Sequence, residues 1–268
     1  MKKILILSFL YENDLCLKEF DLLKSHYNKI IDLYCFPIKY YGVRATETGE
    51  TRIDEENQII WLHSDDLTSY DKKLIYKVQD CLKFIEENDI EYDVIVKGNT
   101  SSYLNLVLLN KSIQQNHDDA ILTGMILYAK KNTSINILAR GNCLCLLKKN
   151  VECIISSNIE EYTKNVKSYL QDDVYIAYML IMHEMYYVKS CGNCTIFGEF
   201  PNQLLKIDDC LSYMVTTIKN YYIKPDNFSM YTEVDLVLLN TVINYVESRL
   251  IFEQKYKGDV LLPTLYVK

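Results

Sequence analysis

The segment Lys3-Ile-Leu-Ile-Leu-Ser-Phe-Leu-Tyr11 is an almost unbroken apolar run near the start of the chain. A short run of this kind is typical of a strand that is buried on both faces, as the strands of parallel sheets are. Polar residues follow at once, and no small-residue cleavage site separates them from the run, so a signal peptide is the poorer interpretation. The segment therefore predicts the buried first strand of an α/β domain.

Helix-like and strand-like segments alternate after this first strand. Residues 14–28 and 70–88 have the spacing of amphipathic helices, and residues 42–57 are polar and loop-like. The strands predicted after the first are residues 29–36, 58–62 and 93–96. Alternation in this order predicts one α/β domain with a central, mainly parallel sheet flanked by helices. We expect the strands at 3–9, 58–62 and 93–97 to be neighbours, with helix 70–88 packed on them.

The second half of the chain contains more helices and shorter strands. The predicted segments are a short helix near 103–114, an apolar run at 120–129, a strand over 135–147, helices at 148–156 and 159–169, a helix from about 172 to 184, strand-like pieces in 186–224 and a helix near 232–252. The last helix is predicted to turn Val234, Leu238, Val242 and Tyr245 inward. No repeat or linker interrupts the chain, so we predict a single domain with a C-terminal helical extension.

Composition excludes several classes of protein. The 268 residues include 29 Lys and Arg against 36 Asp and Glu, which gives a net charge of −7 without a basic block, so nucleic acid is not expected as a partner. No apolar run approaches the roughly 18 residues of a membrane span. The nine cysteines are an odd number spread through apolar segments, which indicates reduced core residues in a cytosolic protein.

Common catalytic motifs are missing, but one acidic pair is well placed for chemistry. The chain has no glycine-rich phosphate loop, HExxH or GxSxG motif. Asp172 and Asp173 directly precede the apolar segment Val174–Met182, so they are expected at the start of a buried helix. The helix N-terminus stabilises a carboxylate there, and a rigidly held carboxylate suits a general base. A plain N-cap is the alternative, and the residues alone favour neither interpretation.

Three stretches of the chain form an ordered set. They are Tyr92-Asp-Val-Ile-Val-Lys-Gly-Asn-Thr-Ser-Ser-Tyr-Leu-Asn105, Gly141-Asn-Cys-Leu-Cys-Leu-Leu-Lys-Lys-Asn-Val-Glu-Cys-Ile-Ile155 and Asp172-Asp-Val-Tyr-Ile-Ala177. The first resembles the strand and Lys-Thr-Asp-Asp-Asp motif of inverting glycosyltransferases of the fringe and β-1,3-galactosyltransferase type, with Lys97, Tyr103, Leu104 and Asn105 keeping the frame. The second is similar to the family's glycine-led strand and helix. The third resembles its acidic-Asp-Val-x-x-Gly motif, with Ala177 in place of the glycine.

The resemblance implies a GT-A fold and transfer of a sugar, with inversion, from a nucleotide-sugar donor to a glycan or other hydroxyl acceptor. This is hexosyltransferase chemistry, and a UDP-sugar is favoured as the co-substrate; no other cofactor is firmly predicted. By position, Asp173 is the general base and Asp172 the second choice. The implied parts are a nucleotide-binding half (1–115), an acceptor and catalytic half (116–205) and the extension (206–268).

The chain departs from the family where a divalent metal such as Mn²⁺ would bind. Asn99, Thr100 and Ser101 replace the three Asp, and amide or hydroxyl groups alone bind hard cations weakly, so no metal ligand is predicted. One explanation is a metal-independent enzyme in which Lys97 and these polar groups contact the phosphates and sugar. The other is a non-catalytic protein that binds a carbohydrate or nucleotide-sugar. Asp65 and Asp66 are candidate ligands should a metal be needed.

Further contacts to the substrates follow from the resemblance. Ligands of open α/β sheets bind at the carboxyl ends of the strands, which places Ser8 and Tyr11 near the donor. Arg140 and Gly141 are the predicted contacts to substrate. The chain lacks the membrane anchor and disulfides of the family's Golgi members, so a cytoplasmic location is predicted, in the host cytoplasm if the chain is viral. An unrelated nucleotide-binding α/β domain is the remaining alternative.

Overall fold

The computed structural model describes most of the chain, in twelve segments. These are residues 1–10, 14–63, 73–100, 102–117, 119–123, 126–128, 137–139, 143–164, 172–190, 193–197, 212–216 and 233–256. The strands are β1 (Ile4–Phe9), β2 (Ile38–Thr46), β3 (Arg52–Asp54), β4 (Ile59–His63), β5 (Val94–Gly98), β6 (Ser102–Leu104), β7 (Ile121–Thr123), β8 (Ile126–Tyr128), β9 (Ile137–Ala139), β10 (Cys143–Leu147), β11 (Val188–Ser190), β12 (Asn193–Phe197) and β13 (Ser212–Thr216). The helices are α1 (Asp14–Tyr34), α2 (Lys73–Glu87), α3 (Leu106–Gln114), α4 (Lys148–Ser156), α5 (Ile159–Lys164), α6 (Asp172–Met182) and α7 (Glu233–Tyr256).

A mixed sheet of eight strands forms the centre of the molecule, in the order β11-β7-β10-β5-β1-β2-β4-β3. β1 pairs in parallel with β2 and β5, β2 with β4, and β7 with β11. β10 and β3 pair with their neighbours in antiparallel fashion. Smaller sheets join β12-β13-β6 and β8-β9. The prediction of a single α/β domain with a central, mainly parallel sheet is confirmed.

Helices cover both faces of this sheet, which explains the nearly continuous apolar run of β1. Ile4 and Ile6 point into one core, with residues from α1, α3 and α7. Leu5 and Leu7 point into the other core, with residues from α2, α4 and α6. Every residue of β1 is therefore buried, as the period-two alternation of a strand requires when both faces are covered.

The C-terminal helix α7 belongs to the first of these cores. Leu239, Val242 and Ile243 are buried in the same cluster as the apolar face of α1, and Tyr245 packs against it. The inward position predicted for Val242 and Tyr245 is confirmed. The side chains of Val234 and Leu238 lie outside the described part of the chain.

One predicted strand and one predicted strand neighbour were wrong around α1. Residues 29–36 were predicted as a strand, but α1 continues to Tyr34 because Tyr27 and Ile30 extend its buried face at helical spacing. Cys35 has a φ of 48°, the left-handed conformation that ends many helices, and β2 then begins at Ile38. β2 consequently separates β4 from β1, so residues 58–62 share the sheet with 3–9 without being their direct neighbour.

The predicted loop at 42–57 was also wrong in part. β2 extends to Thr46, and β3 forms within the remainder. Gly42, at the start of the predicted loop, lies inside β2, where it allows close packing: a Cβ atom there would lie 2.7 Å from Leu10 Cδ1 and 2.9 Å from the Phe20 ring. A glycine in a strand often marks such a close approach rather than a break in the strand.

Candidate functional site

The carboxyl ends of four parallel strands meet at one edge of the sheet. β1, β2, β4 and β5 run in the same direction, and near this edge Ser8 lies opposite both Gly42 and Gly98. β10 enters from the same edge, because its first residue, Cys143, is opposite Gly98. Edges of this kind are where open α/β sheets bind ligands.

A buried ion pair lies at this edge. Lys97 is the penultimate residue of β5, and its Nζ lies 2.5 Å from Oδ2 of Asp172, the first residue of α6. Only 7% of the Lys97 side chain and 9% of the Asp172 side chain are exposed. The Lys97 ammonium also lies 5.9 Å from the centroid of the Phe9 ring, at the end of β1. The pair therefore joins the central sheet to the N-terminus of α6.

Asp173 follows directly in the first turn of α6 and is more deeply buried, with 4% exposure. Val174 to Ala177 are buried after it, so the start of α6 is embedded in the protein. The positive end of the helix stabilises negative charge at both carboxylates. The predicted position of Asp172 and Asp173, at the start of a buried helix, is confirmed.

The other predicted site residues differ in their surroundings. Ser8 is buried and accepts a hydrogen bond from the Tyr40 hydroxyl at 3.2 Å. Thr100 is completely buried, with Oγ1 3.3 Å from the Cys16 sulfur. Asn99 is partly exposed. Tyr11, Ser101, Arg140 and Gly141, together with Asp65 and Asp66, lie outside the described residues.

Two residues of the first motif have structural contacts. The Tyr103 hydroxyl lies 3.1 Å from Nε2 of His26 on α1. Asn105 is the N-cap of α3, and its Oδ1 accepts a hydrogen bond from the backbone N–H of Leu108 at 3.1 Å. The first motif therefore contributes a core residue, Tyr103, and a helix cap, Asn105, in addition to the ion-paired Lys97.

A polar network centred on the buried His26, on the opposite face of the sheet, was not predicted from the sequence. His26 Nδ1 lies 3.1 Å from a carboxylate oxygen of Glu247 on α7, and Lys29 Nζ lies 2.9 Å from the same oxygen. Burial lowers the pKa of His26 even against the raising effect of Glu247. Burial would raise the pKa of Glu247, but its bonds to Lys29 and His26 outweigh this and lower it. A neutral His26 can donate from Nδ1 to Glu247 and accept at Nε2 from Tyr103.

Acidic, His and Cys side chains do not assemble into a metal site in the described segments. No group of three or more such residues there has the arrangement needed to hold an ion. Asn99 and Thr100 supply no charged oxygen at the end of β5. None of the helices that the structure describes is long and apolar enough to cross a membrane.

Comparison with known proteins finds structural similarity only. No family model matches the sequence, and no curated protein matches it. A glycosyltransferase involved in the glycosylation of the major capsid of PBCV-1 is 13% identical, with 88% of this chain and 98% of that chain covered and a TM-score of 0.49. Two structures of the glycosyltransferase GlyE of Streptococcus pneumoniae TIGR4, one in the apo form, are 10% and 9% identical over 94% and 93% of this chain, with TM-scores of 0.45 and 0.42.

The chain spans 64% of each GlyE chain, which is less than two thirds of its length. These three structures are glycosyltransferases. Identities and TM-scores this low assign no activity to this chain.

Proposed function

We propose that the protein is a glycosyltransferase that moves a sugar from a nucleotide-sugar donor to a hydroxyl acceptor with inversion. The observation that supports this most is the Lys97–Asp172 ion pair. The two residues come from separate motifs of the family resemblance, 75 positions apart in the chain, yet they meet at the carboxyl edge of the parallel strands. This is where a GT-A enzyme would bring donor and base together.

Asp173 is the proposed general base. Its carboxylate would accept the proton of the acceptor hydroxyl while the acceptor oxygen attacks the anomeric carbon. The bond between that carbon and the diphosphate oxygen breaks on the opposite face, and the nucleoside diphosphate leaves. Asp172 is the weaker candidate because the Lys97 ammonium already engages its carboxylate.

A UDP-sugar is the favoured donor, and hexosyl transfer without a metal is the favoured form of the reaction. Asn99, which is partly exposed at the end of β5, is the described polar group best placed to meet the donor. Tyr11, Ser101, Arg140 and Gly141 remain proposed contacts to donor or substrate.

The test is a transfer assay with a panel of UDP-, GDP- and dTDP-sugars, followed by substitution of the base. Asp173→Asn keeps the size of the side chain and much of its capping ability but removes the proton acceptor. We expect donor binding to persist while transfer falls by roughly two orders of magnitude or more. Asp32→Asn, which changes an exposed carboxylate of α1, is the matched control and should transfer normally.

The same assay separates the alternatives. Normal transfer by Asp173→Asn with a large loss in Asp172→Asn would reverse the two assignments. Donor binding without turnover by the unmodified protein would favour the non-catalytic binding protein. Loss of folding in Asp173→Asn, measured by a melting curve, would indicate that Asp173 is a structural N-cap.

A further inference from the structure

We propose that Lys97 is a positioning residue for the reaction: its ion pair with Asp172 fixes the first turn of α6 and thereby sets the direction of the Asp173 carboxylate. The inference rests on the proposed function. It differs from the expectation that the Lys97 ammonium contacts the donor phosphates, because it assigns that ammonium a partner within the protein.

The strand that carries Lys97 is held from both sides. Lys97 lies opposite Leu7 on β1 and opposite Leu144 on β10, so its backbone is in the interior of the eight-stranded sheet. The Lys97 side chain points to the face covered by α2, α4 and α6. Ile95, two residues earlier in the strand, points to the same face and is buried there. An interior strand is among the most rigid supports that an α/β domain offers.

The partner of Lys97 is the residue at which α6 begins. Asp172 and Asp173 are consecutive in the helix, where successive side chains point about 100° apart around the axis. Holding the Asp172 carboxylate at 2.5 Å from Lys97 therefore fixes the rotation of the first turn and, with it, the direction of Asp173. Tyr175, fully buried one turn along, packs this end of the helix into the core that α2 and α4 share.

Burial favours persistence of the pair when the donor binds. Both side chains are at least nine-tenths buried, and the Phe9 ring lies beside the ammonium. Transfer of the ammonium to a phosphate would leave the Asp172 carboxylate buried without its counter-ion, which is costly. The geometry is that of an internal tether rather than of a cation presented to a ligand.

The experiment compares the steady-state kinetics of a double variant, Lys97→Met with Asp172→Asn, with those of the unmodified protein, using the donor that the panel identifies. Removing both charges avoids a lone buried ion, so the fold should persist. We expect kcat to fall about ten- to a hundredfold, because a base misplaced by about 1 Å loses that much, while the KM for the donor stays within about twofold. The matched control removes the exposed pair Lys149–Asp119, with Lys149→Met and Asp119→Asn, and should leave both constants unchanged.

A second variant tests the proposal in case the double variant does not fold. Asp172→Glu keeps both charges but lengthens the acid by one methylene, so the start of α6 must shift to keep the pair. We expect a normal melting temperature, an unchanged donor KM and a kcat at least about fivefold lower, since proton transfer depends on sub-ångström placement.

Three outcomes would overturn the proposal. A donor KM raised about tenfold or more with normal kcat in the double variant would identify Lys97 as a donor contact. Unchanged kcat and KM in both variants would make the pair purely structural. Absence of transfer by the unmodified protein with every donor would contradict the proposed function itself, and it is distinguishable because the failure then precedes any substitution.

Discussion

His26 is a buried histidine that the fold keeps neutral, and this makes stability depend on pH. Its pKa in the folded protein is lowered from 6.5 by burial, although Glu247 acts in the opposite direction. As the pH falls through about 6.5, the unfolded chain gains a proton that the folded protein does not yet bind. The free energy of unfolding therefore decreases below that pH, until the lower pKa of the folded state is also passed.

We expect the melting temperature to fall as the pH is lowered from about 7.5 to about 5.5, and to fall less steeply in His26→Gln, because the group responsible for the linkage is gone. The exposed His117 provides the control: His117→Gln should keep the slope of the unmodified protein. Equal slopes in all three proteins would show that other groups cause the pH dependence. Glu247 does not contribute in this range, since its pKa is lowered from 4.5.

Asn99 and Thr100 determine the expected response to chelation. Neither side chain offers the charged oxygen that a divalent cation prefers, and Thr100 is turned into the core against Cys16. Transfer should therefore persist in EDTA, within about twofold of its rate without chelator. Complete loss of transfer that manganese restores would show that carboxylates elsewhere, with Asp65 and Asp66 the first candidates, hold a metal.

At the level of single residues, the sequence predicted where Lys97 and the acidic pair lie in the fold better than it predicted what they contact. A lysine in the apolar run of β5 and an acidic pair before an apolar helix are local signals, and both positions could be recognised. Their pairing could not be predicted from the residues, because it depends on how α6 crosses the sheet. The contact between His26 and Glu247 joins residues 221 positions apart and has no local signal.

At the level of elements, the end of α4 depends on one side chain from α2. Gln79 is buried, and its Nε2 lies 2.8 Å from the carbonyl oxygens of Ile154 and Ser157 and 3.2 Å from that of Ile155. The last carbonyl groups of a helix have no partner within the helix. Gln79 therefore caps α4 from a neighbouring helix.

Gln79→Leu should lower the free energy of unfolding by about 1–3 kcal/mol, because the carbonyl groups of Ile155 and Ser157 would lose this donor, whereas that of Ile154 also accepts from the Ser157 N–H at 3.3 Å. Urea denaturation followed by circular dichroism gives the measurement. The exposed Gln115 at the end of α3 is the matched control, and Gln115→Leu should stay within about 0.5 kcal/mol. Similar losses in both variants would argue against a capping role for Gln79.

The elements that the sequence predicted well were those with a strong local pattern. The apolar run of β1 and the amphipathic spacing of α2 each specify one type of element, and α4 has the predicted bounds of 148–156. Residues 29–36 have an apolar run that suits a strand as well as a helix, and the packing of Tyr27 and Ile30 against β2 decides between them. The predicted loop at 42–57 begins with Gly42, which lies inside β2 because the fold brings Phe20 and Leu10 close to it.

At the level of the whole molecule, α7 and the sheet should unfold as one unit. Val242 of α7 is completely buried in the core that also holds β1 and α1, and Trp61 on β4 is the single tryptophan of the chain. The ring of Trp61 lies between Arg44 and Arg52. Its centroid is 4.7 Å from the guanidinium carbon of Arg44 and 5.5 Å from that of Arg52. Its fluorescence therefore reports on the far edge of the sheet.

Val242→Asp should lower stability by more than about 3 kcal/mol, since it buries a charge in this core. The transitions seen by Trp61 fluorescence and by circular dichroism should shift together. Val237→Asp, on the exposed side of the same helix, should stay within about 0.5 kcal/mol. A shift in the helical signal alone, with an unchanged Trp61 transition, would mean that α7 unfolds separately.

The Lys97–Asp172 pair also constrains how the sequence can diverge. Loss of either partner alone leaves an uncompensated buried charge, at a cost of about 3–5 kcal/mol, which is a large share of the stability of a typical domain. A substitution at either position alone is therefore strongly destabilising, and it becomes acceptable only when the other position also changes. Among homologous chains, a cation at the first position and an acid at the second should be inherited or lost together, and chains lacking both should carry apolar residues of similar volume in their place.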